Sequence, residues 1–212
     1  VLSLVFSNIF KFRVENFPLY LLSGQIIFNF FSDATTSAMS AVINNAALIK
    51  KVYMPKYLFV ISRVFSSFIN LLASFTALLV VMIATRAELH WKVVFAVIPL
   101  GFIVVFSLGV GLLLSALVVK FRDIMHLYSV FITALLYLTP VIYPMSSLPY
   151  WMQKVVGLNP ITNILMMFRD VMLYDNFPNL SSILIATIES LTALGIGVYV
   201  FYKKQDEFIL NI

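Results

Sequence analysis

The feature that most constrains this chain is a series of apolar runs, each close to the length needed to cross a bilayer and separated from the next by a short charged break. A transmembrane helix needs about 20 mostly apolar residues. Four runs reach that length, covering residues 18 to about 41, 57–85, 93–119 and about 181–202, and a shorter fifth covers 124–142. Residues 1–6 read as the tail of another, cut short. Composition agrees, with 62% of residues hydrophobic and 11% charged, against roughly half and a quarter in a soluble domain. The expected fold is all-α, a polytopic integral membrane helical bundle. No internal repeat or low-complexity linker divides it, so residues 1–212 are treated as one domain.

The breaks carry the charge: Lys11 and Arg13; Lys50, Lys51 and Lys56; Arg86 and Lys92; Lys120 and Arg122; Lys154 and Arg169; Lys203 and Lys204. Alternate breaks lie on one side of the membrane. The second, fourth and last together hold seven basic residues, eight with Arg63, and the others hold six. By the positive-inside rule, Lys50-Lys51, Lys120-Arg122 and the C-terminus face the cytoplasm. The chain opens without Met and without the basic region or cleavage site of a signal peptide, and it is read as a fragment whose N-terminus is missing.

Between 140 and 160 the pattern changes, because Pro140, Pro144, Pro149 and Pro160 do not fit one continuous helix. The segment stays apolar and aromatic, with Val141, Ile142, Tyr143, Leu148, Tyr150 and Trp151. It is expected to dip into the outer membrane face as a re-entrant helical hairpin, where protein or water satisfies its irregular backbone. A plain outer loop anchored by interfacial Tyr and Trp is the alternative. After Asn159-Pro160 comes an amphipathic interface helix, with Ile161, Ile164, Leu165, Phe168, Val171 and Met172 on one face and Thr162, Asn163, Arg169 and Asp170 elsewhere.

Several function classes are disfavoured. The chain has no cysteine, which removes disulfide and thiolate chemistry. Its net charge of +5 is spread over separate breaks, unlike the basic face of a nucleic-acid binder. His90 and His126 fall in breaks on opposite sides, so no metal site is expected. There is no GxxxxGK[ST] loop to cradle phosphates. If ATP drives this protein, another subunit hydrolyses it.

Three features remain as functional candidates. The segment 44–55 reads as a short helix stopped by Pro55, with Leu48, Ile49, Val52 and Tyr53 offering apolar contacts beside Lys50 and Lys51. Such a helix suits a groove on a partner; a solvated loop whose lysines only set topology is the plainer reading. Asp33 and Glu189 fall inside apolar runs, where a charge is costly and usually faces a bundle interior or an aqueous cavity. Placement near an interface, or pairing within the bundle, would account for both equally. Small residues recur at every fourth position in Asp33-Ser37-Ala41, Ser107-Gly111-Ser115 and Glu189-Ala193-Gly197, a spacing that permits close helix approach. Finally, 20 Phe, 10 Tyr and two Trp include rings able to stack on sugars, although packing and interfacial anchoring explain most of them.

Together these motifs resemble the permease subunits of ABC-2-type transporters in the branch that exports O-antigen, capsular polysaccharide and teichoic acid. The resemblance runs along the whole chain. It rests on Glu15-Asn16-Phe17-Pro18-Leu19-Tyr20-Leu21-Leu22-Ser23-Gly24, on the run from Asn44-Asn45-Ala46-Ala47 to Lys50-Lys51-Val52-Tyr53-Met54-Pro55, and on Phe121-Arg122-Asp123. It continues in Leu138-Thr139-Pro140-Val141-Ile142-Tyr143-Pro144, Leu158-Asn159-Pro160-Ile161-Thr162 and Phe168-Arg169-Asp170. It implies a six-span permease, here without its N-terminal interface helix and most of its first span, that pairs with a second copy of itself in the bacterial plasma (inner) membrane.

Two copies of a cytoplasmic ABC ATPase would dock below, binding ATP and Mg, while this chain holds no cofactor and is not an enzyme. Residues Asn44, Leu48, Ile49, Lys50, Lys51, Val52, Tyr53 and Pro55 would form the ATPase-coupling helix, and Phe121, Arg122 and Asp123 a cytoplasmic loop. Pro140, Tyr143, Pro144, Tyr150 and Trp151 would belong to the outer gate. The implied substrate is a lipid-linked glycan, moved when closure of the ATPase dimer pushes the coupling helix. The competing readings are an ion-coupled secondary transporter using Asp33 and Glu189, a membrane-embedded transferase, and a drug or small-lipid exporter of the wider superfamily.

Overall fold

A computed structural model describes residues 16–52, 54–85 and 90–208, and these residues form helices and connecting turns without a strand. The first helix, α1 (Phe17–Asn44), begins with Pro18 in its opening turn, where the missing N–H has no intrahelical acceptor to lose. Its far end is closed by Asn45, whose side chain donates to the Ala41 carbonyl at 2.7 Å. A six-residue helix, α2 (Ala46–Lys51), follows, and Val52 then turns extended. Next come α3 (Tyr57–Ala84) and α4 (Val97–Val118), the latter entered through a tight turn at Trp91–Ala96.

The fifth run forms a helix only to Leu138, as α5 (Ile124–Leu138). Thr139 takes an extended conformation (φ −102, ψ 133), because the ring of Pro140 disfavours helical geometry in the residue before it. Two short helices fill the proline-rich stretch and its sequel, α6 (Tyr150–Gly157) and α7 (Pro160–Met172). The Asn159 side chain accepts from the Ile161 N–H and caps α7. Asn179 caps α8 (Leu180–Lys204) in the same way.

Among the described residues, four helical stretches are long and apolar enough to cross a membrane: Phe17–Asn44, Tyr57–Ala84, Trp91–Val118 and Leu180–Lys204. With 15 residues, α5 reaches about 22 Å, short of a hydrocarbon core of about 30 Å. The expected tail at 1–6 and the charges Lys11, Arg13 and Arg86 lie outside the described residues.

Packing runs in the order α3, α1, α4, α8, so α1 and α4 are the inner helices while α3 and α8 flank them. Glycine sets the closest approaches. A Cβ on Gly109 of α4 would overlap the α8 backbone at Ala193 and Leu194, and one on Gly197 would overlap the Gly109 carbonyl. A Cβ on Gly111 would meet the Ala38 methyl of α1 at 2.7 Å. With no hydrophobic force to join helices in lipid, such backbone proximity and its dispersion contacts hold them together. The spacing rule therefore located Gly111, Ala193 and Gly197 correctly, but missed Gly109, which is out of phase with Ser107-Gly111-Ser115. By contrast α5 is held lightly, with the Tyr128 hydroxyl donating to Thr35 Oγ1 of α1 at 2.6 Å. Large apolar side chains such as Phe65 and Ile69 of α3, Leu127 and Val130 of α5, and Ile188 and Tyr199 of α8 point outward.

Candidate functional site

Helical periodicity aligns Gln25, Asn29 and Asp33, four residues apart, along one line of α1. The facing side of α3 carries Ser67, Asn70 and Ser74. Together with Leu22, Ile26, Phe30, Leu71, Leu78 and their neighbours they line a groove of about 280 Å³. Asn29, Asp33, Asn70 and Ser74 are all exposed on it. Asp33 stands near the middle of a helix long enough to cross the bilayer, where a carboxylate facing lipid would be costly. This face is therefore one that the assembled protein turns to protein or water. Chemically it is an array of amides and hydroxyls with one carboxylate and no basic side chain, suited to exchanging hydrogen bonds with a hydroxyl-rich molecule or with water.

Glu189 occupies a different environment. It sits half-buried on α8 beside Asn163 of α7, and its Oε2 is buried without a hydrogen bond among the described residues. Asn163 itself donates to the Ser182 carbonyl at 3.1 Å. The structure does not bring Asp33 and Glu189 into one groove.

At the end of α1 opposite Tyr20, α2 presents an exposed surface. Leu48 and Val52 are 44% and 46% exposed, with Asn44, Lys50, Lys51 and Pro55 also exposed, while Ile49 is buried and anchors the helix. Tyr53 lies outside the described residues. Sequence reasoning counted Lys56 only as a topology-setting charge. Its Nζ donates to the Gln205 carbonyl and lies over the Phe208 ring, tying the end of α8 to the start of α3. Phe121, Arg122 and Asp123 form the exposed turn between α4 and α5.

The other end of α1 is fastened by Arg169, and here the structure corrects the expectation from sequence. Instead of lying on the polar side of an amphipathic helix, Arg169 is buried, 1% exposed. Its guanidinium makes four hydrogen bonds: Nη1 to the Pro140 carbonyl at 2.7 Å, Nη2 to the Val141 and Tyr20 carbonyls at 3.0 and 3.1 Å, and Nε to Ser23 Oγ at 3.3 Å. It also stacks on the Tyr20 ring, 3.5 Å from the centroid.

The physical reason is the helix break. Once Pro140 ends α5, the Pro140 and Val141 carbonyls lack helical donors, and burying them unpaired is costly. A planar, multi-donor cation satisfies both. Burial pulls the Arg169 pKa down to about 10, which leaves it charged at neutral pH, and no carboxylate among the described residues pairs with it. Around this centre the Tyr20 hydroxyl donates to the Tyr143 carbonyl at 3.0 Å, and the Asn159 side chain donates to Thr139 Oγ1 at 2.9 Å. Of the residues assigned to an outer gate, Pro140 and Tyr143 belong to this cluster, while Tyr150 and Trp151 are 73% and 66% exposed. Gly24 leaves room for the guanidinium, since a Cβ there would stand 2.7 Å from Arg169 Nη2, a fit that only the structure shows.

Nearby, Lys92 bridges to Asp175 at 3.2 Å and lies over the Phe177 ring, joining the entry of α4 to the turn after α7.

Apolar helices of spanning length, a polar face at mid-membrane, an exposed basic helix at one end and a pinned helix break at the other define a multi-pass membrane transport subunit. The chain belongs to the ABC-2 type transporter family, whose sequence profile matches residues 1–173. It is similar to the O-antigen export system permease protein RfbA of Klebsiella pneumoniae, 24% identical over 206 residues that cover 96% of this chain and 79% of the relative. It resembles the protein of the same name from Myxococcus xanthus to a similar degree, 24% over 211 residues, covering 99% and 81%. The chain is thus a membrane subunit of an ABC exporter and not itself catalytic.

Proposed function

We propose that two copies of this chain form the path by which a lipid-linked polysaccharide, such as O-antigen, capsular polysaccharide or teichoic acid, crosses the bacterial plasma membrane. Two copies of a separate cytoplasmic ABC ATPase, which bind the ATP and Mg, drive the movement. The observation that carries this reading is that a single helix, α1, bears Gln25, Asn29 and Asp33 on one face and leads through the turn at Asn45 into the exposed basic helix α2. Force delivered to Leu48, Lys50, Lys51 and Val52 would pass through that turn into α1, an uninterrupted helix that carries Asn29 and Asp33. The amide and hydroxyl lining suits a glycan, and the similarity to O-antigen export permeases supports the substrate class. In this reading the six-span arrangement holds, and segment 140–160 enters the outer leaflet as the re-entrant hairpin. The ion-coupled alternative draws less support, because Asp33 and Glu189 stand in separate surroundings.

The test is to copurify the full-length protein with its cognate ATPase and compare wild type with the double variant Lys50→Glu plus Lys51→Glu, following ATP hydrolysis in lipid. The expected result is a stable wild-type complex that charge reversal weakens or uncouples. If no ATPase associates and an imposed proton gradient alone drives transport, the exporter reading is wrong.

A further inference from the structure

Arg169 joins three elements that are distant in sequence, and among the described residues its contacts are to backbone carbonyls, a hydroxyl and a ring, none to an acid. From α7 it reaches the first two turns of α1 at Tyr20 and Ser23, and the broken end of α5 at Pro140 and Val141. All but one of a guanidinium's N–H donors are thereby engaged. The sequence has cleared space for it, since the residue beneath Nη2 is Gly24, where any Cβ would also crowd the Val141 carbonyl at 3.0 Å. A Tyr20 hydroxyl bonded to the Tyr143 carbonyl adds a second tie between the same two elements.

A neutral amide has two N–H donors and could satisfy at most two of these acceptors, whereas the guanidinium reaches all four from one side chain. What the guanidinium adds is directionality: its bonds hold only while α1, the α5 break and α7 keep one relative position. The rod whose other end leads into α2 is thus pinned to the segment after α5 by a set of bonds that a modest shift of α1 would break together.

We propose that Arg169 is the positioning residue that clamps the segment after α5 onto α1 and keeps the outer mouth of the path closed until α1 moves. This rests on the reading of that segment as the outer gate. The test uses the full-length exporter with its ATPase in liposomes, without nucleotide or glycan, comparing wild type with Arg169→Gln, Tyr20→Phe and Gly24→Ala. Two signals are recorded, amide hydrogen exchange across 139–159 and efflux of an entrapped disaccharide.

Arg169→Gln is expected to speed exchange by about ten-fold or more, as loss of charged hydrogen bonds implies, and to raise efflux, with Tyr20→Phe showing a smaller change in the same direction. Gly24→Ala perturbs the guanidinium from α1 without removing its charge, so it decides the matter if Arg169→Gln fails to assemble. Unchanged exchange and efflux in an assembled variant overturn the clamp. Faster exchange with tight vesicles also overturns the proposal, and does so by showing that the freed segment is not the gate. Wild-type ATP hydrolysis, measured in parallel with nucleotide added, is a separate readout, and its absence would count against the transport reading alone.

Discussion

Replacing Gly109 by Ala tests how the last span is held. In α4, the new methyl would overlap backbone atoms of Ala193 and Leu194 in α8, and backbone cannot rotate aside as a side chain can. Restoring carbon contacts of roughly 3.5 Å requires the two helices to separate by about 1 Å. That separation would open the contact at Gly197 and strain the Ser190 hydroxyl bond to the Phe102 carbonyl, 3.2 Å long. Overpacking of this kind costs about 1–3 kcal/mol. The control is Gly101→Ala in the same helix, where a Cβ meets nothing within 4 Å, so only the helix-propensity gain remains, up to about 1 kcal/mol. Gly109→Ala gains the same propensity, so the two variants should differ by the overpacking cost alone, about 1–3 kcal/mol. Titrating purified protein in mixed micelles with a denaturing detergent, and following helical circular dichroism, measures the difference. Equal midpoints for the two variants would refute the close α4–α8 packing.

Because the chain contains no cysteine, single Asn29→Cys, Asn70→Cys and Ile188→Cys variants need no background removal. If the α1–α3 face is water-lined, a membrane-impermeant thiol reagent should label the first two in the assembled exporter and spare Ile188→Cys, and equal inertness at all three positions would exclude an aqueous path there. Tyr128→Phe removes the hydroxyl bond to Thr35 at a cost of about 1 kcal/mol; since α5 has few other ties, faster hydrogen exchange should appear within 124–138 and leave α1 unaffected, whereas a cooperative loss across both helices would show that α5 is not independently held.

The fold was legible where solvent dictates pattern. Apolar runs located the four spanning helices to within a few residues, because lipid exposure demands long uninterrupted hydrophobic stretches whatever the tertiary arrangement. The fifth run was overextended, to 142 instead of Leu138, since apolarity continues through Val141 and Ile142 while Pro140 alone ends the helix. Asp33 could be singled out because its cost is visible locally, but its companions Asn29 and Asn70 carry no charge and went unremarked. Arg169 was misplaced for a related reason. Amphipathic reading sends charged residues to the wet side, and nothing near position 169 in the chain shows that the carbonyls of Pro140 and Val141 and the clearing at Gly24 await it. Burial of a cation is legible only when its acceptors are known, and these lie 28 to 149 residues away. The surface of α2 shows the reverse case: Lys50 and Lys51 were visible as charges, yet that Leu48 and Val52 face outward while Ile49 is buried depends on how α2 folds back against its neighbours.

These placements share one element. The helix α1 touches the pinned break through Tyr20, Ser23 and Gly24, carries Asn29 and Asp33 at its centre, and runs without a proline beyond Pro18 to the turn that begins α2. A helix held between α3 and α4 can slide or tilt as a body more cheaply than it can bend, because bending must break its own backbone hydrogen bonds whereas small residues such as Ala34, Ala38 and Ala41 on its buried side offer shallow ridges to its neighbours. An input at α2 would then reach the polar face and the Arg169 cluster together instead of in succession. On the proposed function, coupling an ATPase at α2 to a gate after α5 would need no chain of intermediate contacts across the bundle, only a displacement of α1 large enough to break hydrogen bonds of about 3 Å.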